Sequence, residues 1–368
     1  AASGITSERG DPRLTSFNED YAEALAARLG AIADERTGYV GASGAAVEAA
    51  EDAMEAAVEG ADDGPLAVDA APFFDHALPP PGPEWRTPTL ERLVRFFRNP
   101  CRALLRERLG LDLPEADAEL EDTERFVPDL PARWALAERL MPVLLDAQAD
   151  ECDSALRGAG EGAGRDDAVL AQLARAGGEF PRGAMGEAAL AAELAAMREF
   201  AARLAAARHV PALEAASCQI AFELDGEAWT LGAVLGELRP EGMLRWRYAD
   251  AGASHYLEAW IAHLMLCAAS PAGVERRTRV MLRDADFTFA ALSRAQAHDL
   301  LAELLALYRE GLTQPLHFFP KSAWACVSND GNPRKAHDKW TGGQRPQFGE
   351  GRDPAYRLAL RGVEQPLD

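Results

Sequence analysis

Lysine is almost missing from this 368-residue chain. It occurs only at Lys321, Lys335 and Lys339, and the rest of the 38 basic residues are arginines. A phosphate-binding P-loop needs a lysine directly after its glycines. No lysine precedes position 321, and none of the three follows a Gly-x-x-x-x-Gly pattern, so an autonomous P-loop ATPase is excluded. Cysteine is also sparse. Cys101, Cys152, Cys218, Cys267 and Cys326 are scattered without a C-x-x-C, which argues against a zinc site or a disulfide framework and for a reduced, cytoplasmic setting. No apolar run approaches the ~18 residues of a membrane span, and no signal-peptide pattern opens the chain. Positive charge is in deficit: 59 acids leave a net of -21, which excludes a surface that coats nucleic acid wholesale but permits a local basic patch.

What is present divides at a proline-rich stop, ALPPPGPEW. The segment 1–85 reads as an acidic connecting stretch, with a low-complexity Ala/Glu/Gly insertion over 36–70. Residues 86–368 read as the main domain. The chain opens at Ala-Ala-Ser and stops at Pro-Leu-Asp, as expected of a piece of a longer polypeptide.

Helical spacing runs through Leu90, Leu93, Val94, Phe97, Cys101, Leu104, Leu105 and Leu109, interrupted at Asn99-Pro100. This predicts two helices or one sharply kinked helix, with Thr89 as the first cap. Further helices are expected over 131–147, 166–176 and 184–208. The texture then changes. Strands 217–224 and 227–238 flank Asp225-Gly226 as a tight hairpin. A third strand follows at 242–248, a helix at 255–268, a fourth strand at 276–284 with FTFAAL as its partner, and a Ser-capped helix at 293–312. The tail from 313 reads as irregular. The sum is an α/β chain with a mixed sheet flanked by helices.

Four constellations bear on chemistry. Arg92, Arg95, Arg102 and Arg106 fall on one helical face, and residues 86–108 hold seven arginines against two glutamates. Guanidinium forks match phosphate oxygens. A solvated face pairing with the acidic insertion or with another subunit also explains the stripe, and is the commoner role of such charge runs. Second, a hairpin, a third strand and a helix form the core of the Mg2+-dependent PD-(D/E)XK nucleases, which place an acid on the second strand and (D/E)-x-K on the third. Here Leu235 stands where the acid belongs. The third strand offers Arg245 and Arg247, and no (D/E)-x-K occurs anywhere. The expectation is a restriction-endonuclease-like fold whose catalytic residues are lost, with no metal ligands. Third, His263 sits on an apolar helix face as a core residue, and His317 and His337 lie in the tail. Fourth, Phe318, Phe319, Trp324, Trp340 and Tyr356 mix with Lys321, Arg334, Lys335, Lys339 and Arg357. That mixture suits packing, or stacking on a single strand.

The stretches TLERLVRFFRNPCRALLRERL, GGEFPRGAMGE, GMLRWRYADA with LEAWIAHLMLCA, and LYREGLTQPLHFFPKSAWA with DPAYRLALRG together resemble the C-terminal part of the RecC family, the gamma subunits of exodeoxyribonuclease V (RecBCD). The match covers about 87–368 well and the first 25 residues loosely. The resemblance implies a nuclease-like domain that has lost catalysis. Such a domain would handle and split duplex ends and separated strands, and would scaffold RecB and RecD in double-strand-break repair by homologous recombination in the bacterial cytoplasm. ATP and Mg2+ would be used by the partner subunits, with none bound here. Two alternatives stay open: a divergent nuclease using acids such as Glu223 or Glu237, and a scaffold that never touches DNA.

Overall fold

The computed structural model describes residues 71–113, 130–157, 170, 172–176, 180–181, 183–363 and 365–367. The expected 36–70 insertion lies outside the described residues. The first helical pattern forms two helices, α1 (Leu90–Arg98) and α2 (Pro100–Leu109). The Thr89 hydroxyl accepts the Arg92 N–H, as expected. Asn99 is extended, and its side chain accepts the Arg102 N–H at 2.9 Å. With Pro100 preset for a first turn, Asn99 ends one helix and caps the next.

Helix α3 (Leu130–Arg157) outruns the expected 131–147 because no further glycine or proline stops it before Gly158. Its partner is α4 (Ala184–Ala207). Leu136, Leu140, Met197, Phe200 and Leu204 form their shared core, which also takes in Leu244 and Met281.

The hairpin is β1 (Ala216–Leu224) and β2 (Glu227–Leu235), paired from Ala216↔Leu235 to Leu224↔Glu227. Asp225 and Gly226 both take positive φ, the requirement of a two-residue turn that follows strand twist. Strand 227–238 was expected to be continuous, but it breaks. Glu237 adopts φ 53, and a new strand β3 (Leu238–Arg239) starts beyond it. The hairpin therefore stands as its own two-stranded sheet. A second sheet has the order β3-β4-β5-β6, with β4 at Gly242–Trp246, β5 at Thr278–Met281 and β6 at Asp286–Phe289. Only β4 and β5 run parallel, joined through α5 (Ala253–Ala269). The architecture is mixed α/β, with two small sheets among the described residues in place of the one expected.

Gly242 makes the parallel pairing possible. A Cβ there, at φ +133, would stand 2.3 Å from the Arg277 carbonyl oxygen. Residues 86–88 lie along the β2 edge, where the Thr230 and Gly232 N–H groups donate to the Arg86 and Pro88 carbonyls. The main core gathers α1, β1, β2, α5 and α6 (Arg294–Gly311) around Phe96, Trp229, Leu264 and Tyr308. A full capping box between Ser293 and Gln296 starts α6.

The tail read as irregular forms three short helices: α7 (Pro320–Val327), α8 (Pro333–Thr341) and α9 (Pro354–Ala359). Each opens on a proline, which the fold uses as a first helical residue. Helix α9 packs on α2 through Cys101, Leu105, Tyr356 and Ala359, and Phe73 and Phe74 cover the same cluster.

Candidate nucleic-acid interface

A groove of about 440 Å3 runs between α1 and α2 on one wall and the α7 start and residues 348–356 on the other. Arg95, Arg98, Arg102, Arg106, Lys321 and Arg352 line it against only two carboxylates, Glu350 and Asp353. Both acids have structural duties. Glu350 is buried and accepts the Lys321 and Ser322 backbone N–H groups at 3.0 and 2.6 Å, which caps α7. Asp353 takes the Arg102 guanidinium at 3.1 and 3.2 Å.

The four expected DNA-binding arginines are not equivalent. Arg92 lies outside the groove, where both its Nε and Nη2 reach one Glu107 oxygen and its guanidinium covers Trp85 at 4.1 Å. Arg102 is held by Asp353 and the Leu113 carbonyl. Arg95 and Arg106 are exposed. Arg95 has no ion pair among the described residues, and Arg106 has only the distant Glu107 at 4.0 Å. Helical spacing does not divide them, because the carboxylates that hold Arg92 and Arg102 lie 15 and 251 residues away.

Two of the three supposed vestigial positions line a second cleft, of about 320 Å3, between β4, α5 and the β2–β3 junction. Arg245 and Arg247 line it with Glu237, His255 and Glu258, while Leu235 is buried in the main core. Both carboxylates are engaged by cations. Glu237 receives Arg208 and, at 3.0 Å, Arg239. Glu258 receives Arg98 at 2.5 Å and Arg245 at 2.7 Å. Burial by itself would raise the Glu258 carboxyl, but Arg245 and then Arg98 outweigh it and hold it below the ordinary range. Burial, reinforced by Arg247, pushes His255 down. Glu258 was not anticipated from sequence, yet its ion pair with Arg98, one of the seven arginines of 86–108, joins cleft and groove. Glu223 lies exposed on β1, remote from both.

His263 is the buried core residue expected. Its Nδ1 meets the Thr278 hydroxyl and its Nε2 the Ala290 carbonyl, both at 3.0 Å, and burial lowers its pKa. The tail aromatics mostly pack. Phe319 contacts Trp340 and Tyr356, with ring centroids 4.3 and 5.1 Å away, and Phe318 meets Phe97 edge-on. Among the described residues no helix is long and apolar enough to cross a membrane.

Comparison with known proteins places the sequence in a family. The family model described as the RecC C-terminal domain matches residues 85–331. The RecBCD enzyme subunit RecC of Escherichia coli (strain K12) is 30% identical over 305 residues, covering 78% of this chain and 25% of that protein. The RecBCD enzyme subunit RecC of Buchnera aphidicola subsp. Acyrthosiphon pisum (strain APS) is 21% identical over 285 residues, covering 73% of this chain and 24% of that protein. The chain thus spans about a quarter of the length of these curated relatives. On the matched span and the identity together, the chain belongs to the RecC C-terminal domain family.

Proposed function

We propose that this chain is a non-catalytic DNA-handling and assembly module of a RecBCD-type helicase–nuclease, working in the bacterial cytoplasm in recombinational break repair. Its task is mechanical. It holds the phosphate backbone while partner subunits of the RecB and RecD kind hydrolyse ATP, use Mg2+ and move the strands, so that a duplex end is split against a rigid surface. The observation that carries this reading is the groove, with six cationic side chains facing two occupied carboxylates in a chain of net charge -21. Fixed guanidinium groups bind backbone phosphate without reading sequence.

The same reading assigns a PD-(D/E)XK ancestry whose acids and lysine have given way to Leu235, now in the main core, and to Arg245 and Arg247, which line the second cleft. Arginine does not give up its proton near neutral pH, so neither guanidinium replaces a catalytic lysine as base. Glu237 and Glu258 already balance arginines, which leaves little negative charge to hold a divalent ion.

The test is unwinding of a blunt duplex by the assembled complex carrying Arg95→Gln and Arg106→Gln. End binding should weaken and unwinding should slow, with ATPase activity on single strands retained. Unchanged end binding and unwinding would refute DNA handling by this groove. Mg2+-dependent cleavage by the isolated full protein, abolished by Glu237→Gln, would instead establish a divergent nuclease.

A further inference from the structure

Three aromatic rings from three separate elements form a parallel stack beside the groove. Phe287 of β6 lies on Tyr256 of α5 with centroids 4.6 Å apart and planes 16° apart. Tyr256 lies in turn on Trp324 of α7 at 4.1 Å and 21°. The inner end is anchored, because Phe287 meets Phe289 edge-on at 5.3 Å, and Phe289 meets Trp260 at 5.2 Å. At the outer end Trp324 is partly open to solvent, 36% exposed. This is an unusual place for a tryptophan whose only role is to pack. Trp340, on the next helix, packs against Phe319 and Tyr356 inside the same tail.

Lys321 stands three residues before Trp324 on α7 and is exposed. Residues three apart share a helix face, about 4.5 Å apart along the axis at ~1.5 Å per residue. Lys321 also lines the arginine groove. A lysine that lines the groove and a partly exposed indole therefore share one face of one short helix. That helix is held in place by Glu350 on its first amides.

We infer that Trp324, backed by Tyr256 and Phe287, is the docking face for one unpaired nucleobase of a strand whose phosphates lie along the arginine groove. The inference rests on the phosphate-handling reading of that groove and narrows its ligand to single-stranded nucleic acid. A base adds a fourth layer to a preformed stack, so little ordering is required at the moment of binding. Bases inside a duplex have no free face to offer. Stacking tolerates any base, which suits a strand that must move through.

The test uses the full protein and three probes: a 20-nucleotide oligo-dT, an abasic oligomer of the same length, and a blunt duplex closed by a hairpin at its far end. Trp324→Ala should weaken oligo-dT binding by about 5-fold or more, as loss of one stacked base requires. It should leave the abasic oligomer and the duplex unchanged, and leave the salt dependence intact. Trp324→Phe should restore most of the loss, and Trp324→Leu, which fills the same space without a π-face, should not. Equal binding of oligo-dT by wild type, Trp324→Ala and Trp324→Leu would overturn the inference. So would an equal loss on the blunt duplex, which would make the occupant a terminal base pair. Arg95→Gln with Arg106→Gln separates the two readings. If those changes weaken all three probes while Trp324→Ala weakens none, the groove stands and the platform falls. If Trp324→Ala acts and the arginine changes do not, the groove reading falls.

Discussion

The groove divides four neighbouring arginines into two pairs, and that division has a measurable consequence. Arg95 and Arg106 are exposed and without a close carboxylate among the described residues, whereas Arg92 and Arg102 are committed to Glu107 and Asp353. Each phosphate neutralised on B-form DNA adds about 0.9 to the magnitude of the slope of log K against log salt. The double variant Arg95→Gln/Arg106→Gln should therefore flatten that slope by about 1.8 on duplex, and by about 1.4 on single strands at ~0.7 per contact. Its thermal stability should be unchanged. The double variant Arg92→Gln/Arg102→Gln should behave in the opposite way. Arg102 and Asp353 are only 21% and 29% exposed, and losing a charge-assisted hydrogen-bonded pair in such surroundings costs about 1–2 kcal/mol. Removing Arg92 strips the cation from Trp85, about 0.5–1 kcal/mol more. Fluorescence anisotropy across a salt series, with denaturant melts on the same samples, reads both quantities. If the Arg92/Arg102 variant flattens the slope while the Arg95/Arg106 variant leaves it alone, the assignment of binding to the unpaired arginines is wrong.

Other expectations follow from the rest of the structure. His263 has its pKa lowered by burial below the ordinary 6.5, so the unfolded chain takes up a proton first as pH falls. Its neutral form stabilises the fold fully above about pH 6.5, and that contribution drains away below it. His263→Gln should flatten the melting temperature profile between pH 7 and 5, and an unchanged profile would exclude His263 as its source. Gly242→Ala forces a Cβ into the Arg277 carbonyl at a positive φ. It should cost at least about 1–3 kcal/mol, and a variant that melts with wild type would show that β4 and β5 can separate freely. Glu350→Ala removes the acceptor of two amides at the start of α7. The loss should be about 1–2 kcal/mol by denaturant melt, and Trp324 emission should shift to the red as the stack loosens. A silent Glu350 variant would mean that other contacts hold α7.

Local signals in the sequence were read correctly where chemistry is local. Thr89, Asn99-Pro100, Asp225-Gly226 and Ser293 each act on residues within four positions, and the structure has caps and turns at all four. Period alone set most helix bodies. What escaped was non-local. Glu237 turns left-handed where a continuous strand was expected, and the sheet splits in two because of it. The tail prolines carried no label distinguishing a helix start from a break. The site was half visible: the arginine excess stood out, but Glu258, which joins Arg98 to Arg245, looked like any polar residue on an amphipathic helix. The stack of Phe287, Tyr256 and Trp324 draws on positions up to 68 apart in numbering, beyond the reach of any periodicity.

Arg102 meets Asp353 across 251 residues of chain, so one wall of the groove is synthesised 251 residues before the other. While a ribosome is still translating the intervening sheets, the arginine wall already exists without its counterpart, and Cys101 and Leu105 lack the cover of Tyr356. Nascent protein halted anywhere before position 350 would carry exposed guanidinium groups beside an uncovered apolar seam. A chaperone that shields this seam until translation passes Ala359 would protect the protein at its most vulnerable stage. A stop codon placed before position 350 should accordingly yield aggregates rather than a shortened, working product.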